Sequence, residues 1–320
     1  MVQTASSPTA ADEAQRRDQT WVYFNGRTCQ YADAKVGLMT HGLHYGTGCF
    51  EGIRAYWNAE QEQMFVLLMA EHYDRMRQSA GVLRMSLDLS TKELCDITLD
   101  LIRKNGFREN IYIRPLLYKS SEIIGVRLHD LPDGFAIYMT PMADYVDTNG
   151  ISCMVSSWRR IDDTMAPVRA KCTGVYINSA LAKSEAVENG FDEAIMLSTD
   201  GHVCEGSAEN LFIVRNDTVL TPPVTDNILE GITRRVVIRL VQEDLKLPVI
   251  ERTIDKTELY IADEVFLCGT GAQLSPVVSI DHRTVGSGMP GPVSKALQDM
   301  YGTIVYGRDA RSKEYVTPVY

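Results

Sequence analysis

Residues 169–176 read Arg-Ala-Lys-Cys-Thr-Gly-Val-Tyr, and residues 201–212 read Gly-His-Val-Cys-Glu-Gly-Ser-Ala-Glu-Asn-Leu-Phe. The first stretch puts Lys171 among apolar and small residues just before a helical pattern; the second puts Glu205 in a turn between two strand-like runs. An amine held away from water loses its proton more readily and becomes a nucleophile and a base. A carboxylate aimed at a heteroaromatic nitrogen keeps that nitrogen protonated. Pyridoxal 5'-phosphate (PLP) asks a protein for these two groups: an amine to bond its aldehyde and an acid to face its ring nitrogen. Taken singly, Lys171 reads better as a solvated surface lysine and Glu205 as a turn residue; the pair carries the reading.

Bulk properties bound the alternatives. With 320 residues the chain makes one large or two ordinary domains. A net charge of −10 argues against a nucleic-acid partner, since phosphates need a basic face. No run approaches the roughly 18 apolar residues of a membrane span. Residues 1–20 read as a flexible tail, without the apolar stretch of a signal peptide. The seven cysteines are scattered and include no Cys-x-x-Cys, so neither a disulfide framework nor a zinc site is expected, and a reducing cytoplasm fits. His41 and His44 stand three apart with no third ligand at suitable spacing, and no metal is expected.

Along the chain, Trp21 to Gly26 reads as a strand entering an Asn-Gly hairpin turn. Gly42, Gly46 and Gly48 make a loop whose backbone can approach a ligand. Phe50, Gly52 and Arg54 alternate along an expected strand and so share a face. Helices are expected over 70–80, where Arg75 lies off the apolar stripe, and over 92–104, closed by Gly106. In the strand 111–118, Tyr112 and Arg114 share a face, and a guanidinium beside a tyrosine in an apolar strand suits a carboxylate trap. Residues 119–134 read as a long loop of the kind that forms a lid or a partner contact. Gly231, Ile232 and Thr233 begin a helix, either an anion site or a start capped by Thr233. Gly269-Thr-Gly-Ala-Gln273 follows a strand; Leu274 stands where a dinucleotide fingerprint wants glycine, which leaves a tight turn with free amides suited to phosphate or carboxylate.

In order, His44-Tyr-Gly-x-x-x-Phe-Glu-Gly-Ile-Arg54, Tyr112-Ile-Arg-Pro115, Ala170-Lys171, Glu205-Gly-x-x-Glu-Asn-Leu-Phe212, Gly231-Ile-Thr-Arg234 and Gly269-Thr270 resemble the class IV, fold-type-IV PLP aminotransferases, within them the branched-chain amino acid aminotransferases. The resemblance implies an α/β (mixed α+β) fold: a small N-terminal α+β domain over 21–147, an interdomain loop over 148–153 and a large PLP-binding pseudo-barrel domain over 154–320. It implies Lys171 as the covalent anchor and proton carrier, Glu205 as partner of the pyridine nitrogen and Tyr176 at the ring oxygen. Arg75, Gly231, Ile232, Thr233 and Thr270 would cradle the phosphate. Tyr45, Phe50, Gly52, Arg54, Tyr112, Arg114 and Tyr145 match substrate-pocket positions, and Gly271 and Ala272 the turn that holds the α-carboxylate. Family members are usually homodimers, or multiples of dimers, whose sites are completed by a neighbour's loop; 119–134 is the candidate. Many members read Gly-Gly-Asn-Tyr after the lysine and Thr-Ala-Ala in the turn, where this chain has Cys172-Thr-Gly-Val-Tyr176 and Thr270-Gly-Ala272.

The expected reaction transfers the amino group of leucine, isoleucine or valine to 2-oxoglutarate. D-amino-acid and (R)-amine transaminases and aminodeoxychorismate lyase share the lysine and glutamate, but typically not Phe-Glu-Gly-Ile-Arg with Tyr-x-Arg. A nicotinamide oxidoreductase is argued against by Leu274, and a non-catalytic binding protein would take up no PLP.

Overall fold

The structure, a computed structural model, describes residues 10–143 and 149–320, apart from the side chains of 10–13. Among these residues the strands form two sheets, of eight and nine strands. The first is built mainly from residues 21–141. Asn25 and Gly26, both with positive φ (47° and 88°), close the hairpin Trp21–Phe24/Arg27–Gln30. Ile111–Lys119 and Asp133–Pro141 pair antiparallel along their whole length. Helices Met69–Val82 and Thr91–Asn105 flank this sheet and enter its core. The second of them starts on a reciprocal Ser90–Glu93 capping box and ends at Gly106 in the left-handed region.

In the second sheet Val203–Gly206 pairs with both Glu193–Leu197 and Asn210–Arg215, so the path Ile151–Val155, Gln273–Ile280, Glu264–Gly269, Asn210–Arg215 returns on itself as a closed six-stranded barrel. Closure leaves no edge along that ring. Glu205 sits within one of these strands, opposite Asn210, and not in a turn as expected; the turn is 207–209. Tyr56 and Leu67 of the first sheet pack with Phe212, Phe266 and Tyr301 in one apolar core that ties the two sheets together.

Three expectations change. Residues 10–19, expected within the tail, form a helix, and Arg16 near its end pairs with Glu109. The strand through 50–54 is interrupted at 51–52, although its register against Ile111–Lys119 runs on unbroken from Phe50 opposite Leu116 to Ile53 opposite Ile113. The last strand, Val316–Pro318, pairs with Gln63–Leu67 and joins the first sheet instead of the 154–320 unit; three residues carry too little pattern to announce a partner some 250 positions away.

Candidate active site

Lys171 is fixed through its backbone before its side chain is considered. Its N–H donates to Ser79 Oγ (3.1 Å) and its carbonyl accepts from Phe50 N (3.1 Å). Downstream, Gly174 N and Thr173 Oγ1 both donate to Gly46 O. Gly46 (φ +61°) and Gly174 pass so close that a Cβ on Gly46 would strike the Gly174 backbone. The glycine-rich loop therefore approaches the lysine segment, not a ligand as expected. The segment then enters the helix Tyr176–Glu188, and Lys171 Nζ donates to Tyr176 Oη at 2.6 Å.

Glu205 is buried on the same cavity wall. Arg160 Nη2 meets its Oε1 at 2.9 Å, while Asn210 Nδ2 and Leu229 N each donate to Oε2 at 3.1 Å. Burial pushes the Glu205 carboxyl above its ordinary value; Arg160, the Leu229 amide and Lys171 pull the other way. Gly231 is needed here because a Cβ would collide with Asn210 Oδ1.

The anion side has an unusual donor set. The helix Ile232–Leu240 begins at Gly231 without any side-chain cap, so Thr233 does not cap it, and Ile232 and Thr233 are buried at the cavity. Its first amides have no intrahelical partner. Thr270 lines the same cavity, as does Arg75, whose Nη1 donates to Glu230 O at 3.0 Å. Amine, carboxylate, guanidinium, uncapped helix start and hydroxyl around one cleft fit PLP: one covalent anchor, one partner for the ring nitrogen and one set of phosphate donors.

A second cavity of about 560 Å³ adjoins, sharing Lys171, Tyr176 and Thr270 and adding Phe50, Gly52, Tyr112, Arg114, Gly271 and Ala272. Arg114 lies 4.4 Å over the Phe50 ring and donates to Tyr112 Oη at 2.8 Å, and its buried Nε has no hydrogen-bond partner among the described residues. Gly52 leaves room for the Tyr112 phenol, which a Cβ would strike. Glu209 and Glu193 line the far side of this cavity with Lys183, which pairs with Glu193 at 2.7 Å.

Not every expected residue arrives. Arg54 is fully buried, not a pocket wall: it donates to Gly271 O (3.4 Å) and Met142 O (3.1 Å) and holds the 269–273 turn from behind. Tyr45 lines neither cavity of its own chain; it is 36% exposed and its Oη accepts from Gly125 N in the 119–134 loop. Tyr145 lies outside the described residues. His41 and His44 serve loops: His41 bridges Thr47 Oγ1 and Gly125 O (both 2.7 Å), and His44 Nε2 donates to Leu38 O. Sequence reading missed Ser79, Arg160, Asn210 and Glu51, all of which act on the anticipated residues from behind.

A closed barrel carrying a lysine and a glutamate on one cleft, beside a helix start, defines a PLP enzyme. Known proteins give the same answer. The family model for class IV amino-transferases matches residues 48–280, and the chain belongs to that family. A probable branched-chain-amino-acid aminotransferase of Aquifex aeolicus is 48% identical over 301 residues, covering 94% of this chain and 97% of that one. The structure of a branched-chain aminotransferase from Thermoproteus uzoniensis with norvaline superposes with a TM-score of 0.90 at 41% identity, covering 94% and 99% of the two chains. That of a branched-chain amino acid aminotransferase from Thermobaculum terrenum in its PLP form gives 0.90 at 38% identity, covering 95% and 99%. PLP is the cofactor of this family, and the enzyme is PLP-dependent.

Proposed function

We propose that this enzyme moves the amino group of L-leucine, L-isoleucine or L-valine to 2-oxoglutarate, giving branched 2-oxo acids and L-glutamate in a ping-pong cycle. The observation that carries the reading is the Arg114–Phe50 stack in the larger cavity: one wall offers hydrocarbon to an aliphatic side chain and a guanidinium to the second carboxylate of glutamate. The names of the relatives support the same substrates.

When bound, PLP supplies the aldehyde that takes up the amino group and the ring that draws electrons from the substrate Cα. With the cofactor bound, Lys171 Nζ, oriented by Tyr176 Oη, would take the Cα proton and give it up again, as base and then acid. Glu205, pinned by Arg160, Asn210 and Leu229, would accept a hydrogen bond from the ring nitrogen. Arg75, Ile232, Thr233 and Thr270, which line the same cleft, would hold the phosphate. The Gly271 and Ala272 amides take the α-carboxylate, with Arg54 fixing the turn behind them. Tyr112 orients Arg114.

The assembly we propose is a homodimer or a multiple of dimers. Leu38 (86% exposed), Leu43, Ile124 (89%) and Val126 form an apolar outer face where the 119–134 loop meets 36–45. A neighbouring copy would cover it, and Tyr45 on this face would serve that copy's site. The compartment we propose is the cytoplasm, which suits seven free thiols; no helix among the described residues is long and apolar enough to cross a membrane.

The test is a panel of amino donors against 2-oxoglutarate. L-Leucine, L-isoleucine and L-valine should turn over fastest; D-alanine preferred over L-valine would point to the D-amino-acid branch instead.

A further inference from the structure

Glu51 is the most completely buried carboxylate beside the site, at 0% exposure, and neither cavity is lined by it. It lies between Phe50 and Gly52, both of which line the substrate cavity. Its own side chain points the opposite way, across to the helix Met69–Val82. There Oε1 accepts from Arg75 Nε and Oε2 from Arg75 Nη2, both at 2.7 Å, while His72 Nδ1 meets Oε2 at 2.7 Å. His72 and Arg75 are three apart and so lie on one helix face. Glu51 takes Nε and one N–H of Nη2, and Nη1 donates to Glu230 O, which together fix the guanidinium plane of a side chain that lines the cofactor cleft. Ser79, one turn further along the same helix, accepts the Lys171 amide.

We propose that Glu51 is the positioning residue for the phosphate, aiming Arg75 Nη1 at it, and that His72 holds Glu51 in that pose. Glu51 touches neither cofactor nor substrate. Burial alone would raise its carboxyl, but Arg75 and His72 outweigh it and hold it near 2, so the Arg75–Glu51 pair stays ionised across working pH. The pair also neutralises most of Arg75's charge. Phosphate binding here depends on the direction of one N–H group more than on net positive potential, and a loosened Arg75 should lose phosphate selectivity rather than cofactor binding in general.

The inference rests on the reading of this cleft as a PLP site, and the experiment separates the two. PLP and unphosphorylated pyridoxal are titrated by absorbance and fluorescence into apoenzyme of the wild type, Glu51→Gln, Arg75→Ala and the double variant. The wild type should prefer PLP; no such preference would sink the cradle itself. Glu51→Gln should weaken PLP roughly tenfold or more and pyridoxal by less than about twofold. In the Arg75→Ala background Glu51→Gln should add no further loss of PLP affinity, because its effect runs through Arg75. Equal weakening of PLP and pyridoxal, or fully additive losses in the double variant, would overturn the assignment. Should Glu51→Gln fail to fold, His72→Asn removes one tie to Glu51, and a phosphate-specific loss of about threefold is expected; an unchanged PLP-to-pyridoxal ratio would count against the proposal.

Discussion

Arg160 and Glu205 face each other at 2.9 Å with side chains only 7% exposed each, so the carboxylate we propose as partner of the ring nitrogen is itself held by a buried guanidinium. Without Arg160 the buried Glu205 charge would keep only the Asn210 and Leu229 donors and no opposite charge beside it, and it would hold its proton to higher pH.

Replacing Arg160 with Leu should therefore destabilise the fold by about 3–5 kcal/mol, the usual consequence of removing one partner of a buried pair. Because Arg160 is the main group lowering the already raised Glu205 carboxyl, the acid limb of the pH–rate profile should also move to higher pH. Thermal denaturation and a pH profile of kcat/KM check both; an unmoved acid limb would detach Arg160 from Glu205's role.

Glu209 should make stability fall as pH rises. Burial, with the Glu193 charge adding, pushes its carboxyl from 4.5 up to about 8. The folded form thus keeps a proton that the unfolded chain releases near 4.5. Its contribution is whole below that value and is lost as pH rises through about 8. Glu209→Gln, which cannot ionise, should flatten the slope of Tm against pH between about 4.5 and 8. The same slope in both proteins would contradict this.

How much of this was legible in the sequence follows from where each residue's partners lie. Lys171, Glu205 and the helix start at 231–233 stood out because local pattern carried them: small residues, a hairpin, a helix boundary. Arg160 did not, since in Trp158-Arg-Arg-Ile161 it reads as surface charge and its partner is on a distant strand. Arg54 keeps the strand face that alternation assigns it, since the register runs on from Phe50 opposite Leu116 to Arg54 opposite Tyr112, but its guanidinium is spent on the distant Gly271 and Met142 carbonyls, which no local pattern announces. The Glu51 network left a faint signal, a carboxylate inside an apolar run followed by His72 and Arg75 at helical spacing. The barrel was implied only by the family resemblance, because Val203–Gly206 pairs on both sides through tertiary packing that no periodicity records.

Arg114 should separate the two half-reactions. Arg114→Gln removes the charge we propose for a second carboxylate but keeps a polar side chain beside Phe50. The kcat/KM for glutamate and 2-oxoglutarate should fall about 10–100-fold, and that for leucine by less than about threefold. Equal losses in stopped-flow half-reactions would place Arg114 outside substrate selection.

Ile124, 89% exposed on the outer apolar face, should matter to assembly and not to folding. Ile124→Asp should shift sedimentation velocity toward monomer while leaving the thermal transition of the monomer cooperative. An unchanged sedimentation coefficient would place the subunit contact elsewhere.

The most direct test of the central claim is chemical. The PLP-loaded enzyme is reduced with borohydride, digested and mapped by mass spectrometry. The phosphopyridoxyl mass should fall on Lys171 alone, and Lys171→Ala should carry none and show no turnover. A label on any other lysine, or appreciable turnover by Lys171→Ala, would contradict the account.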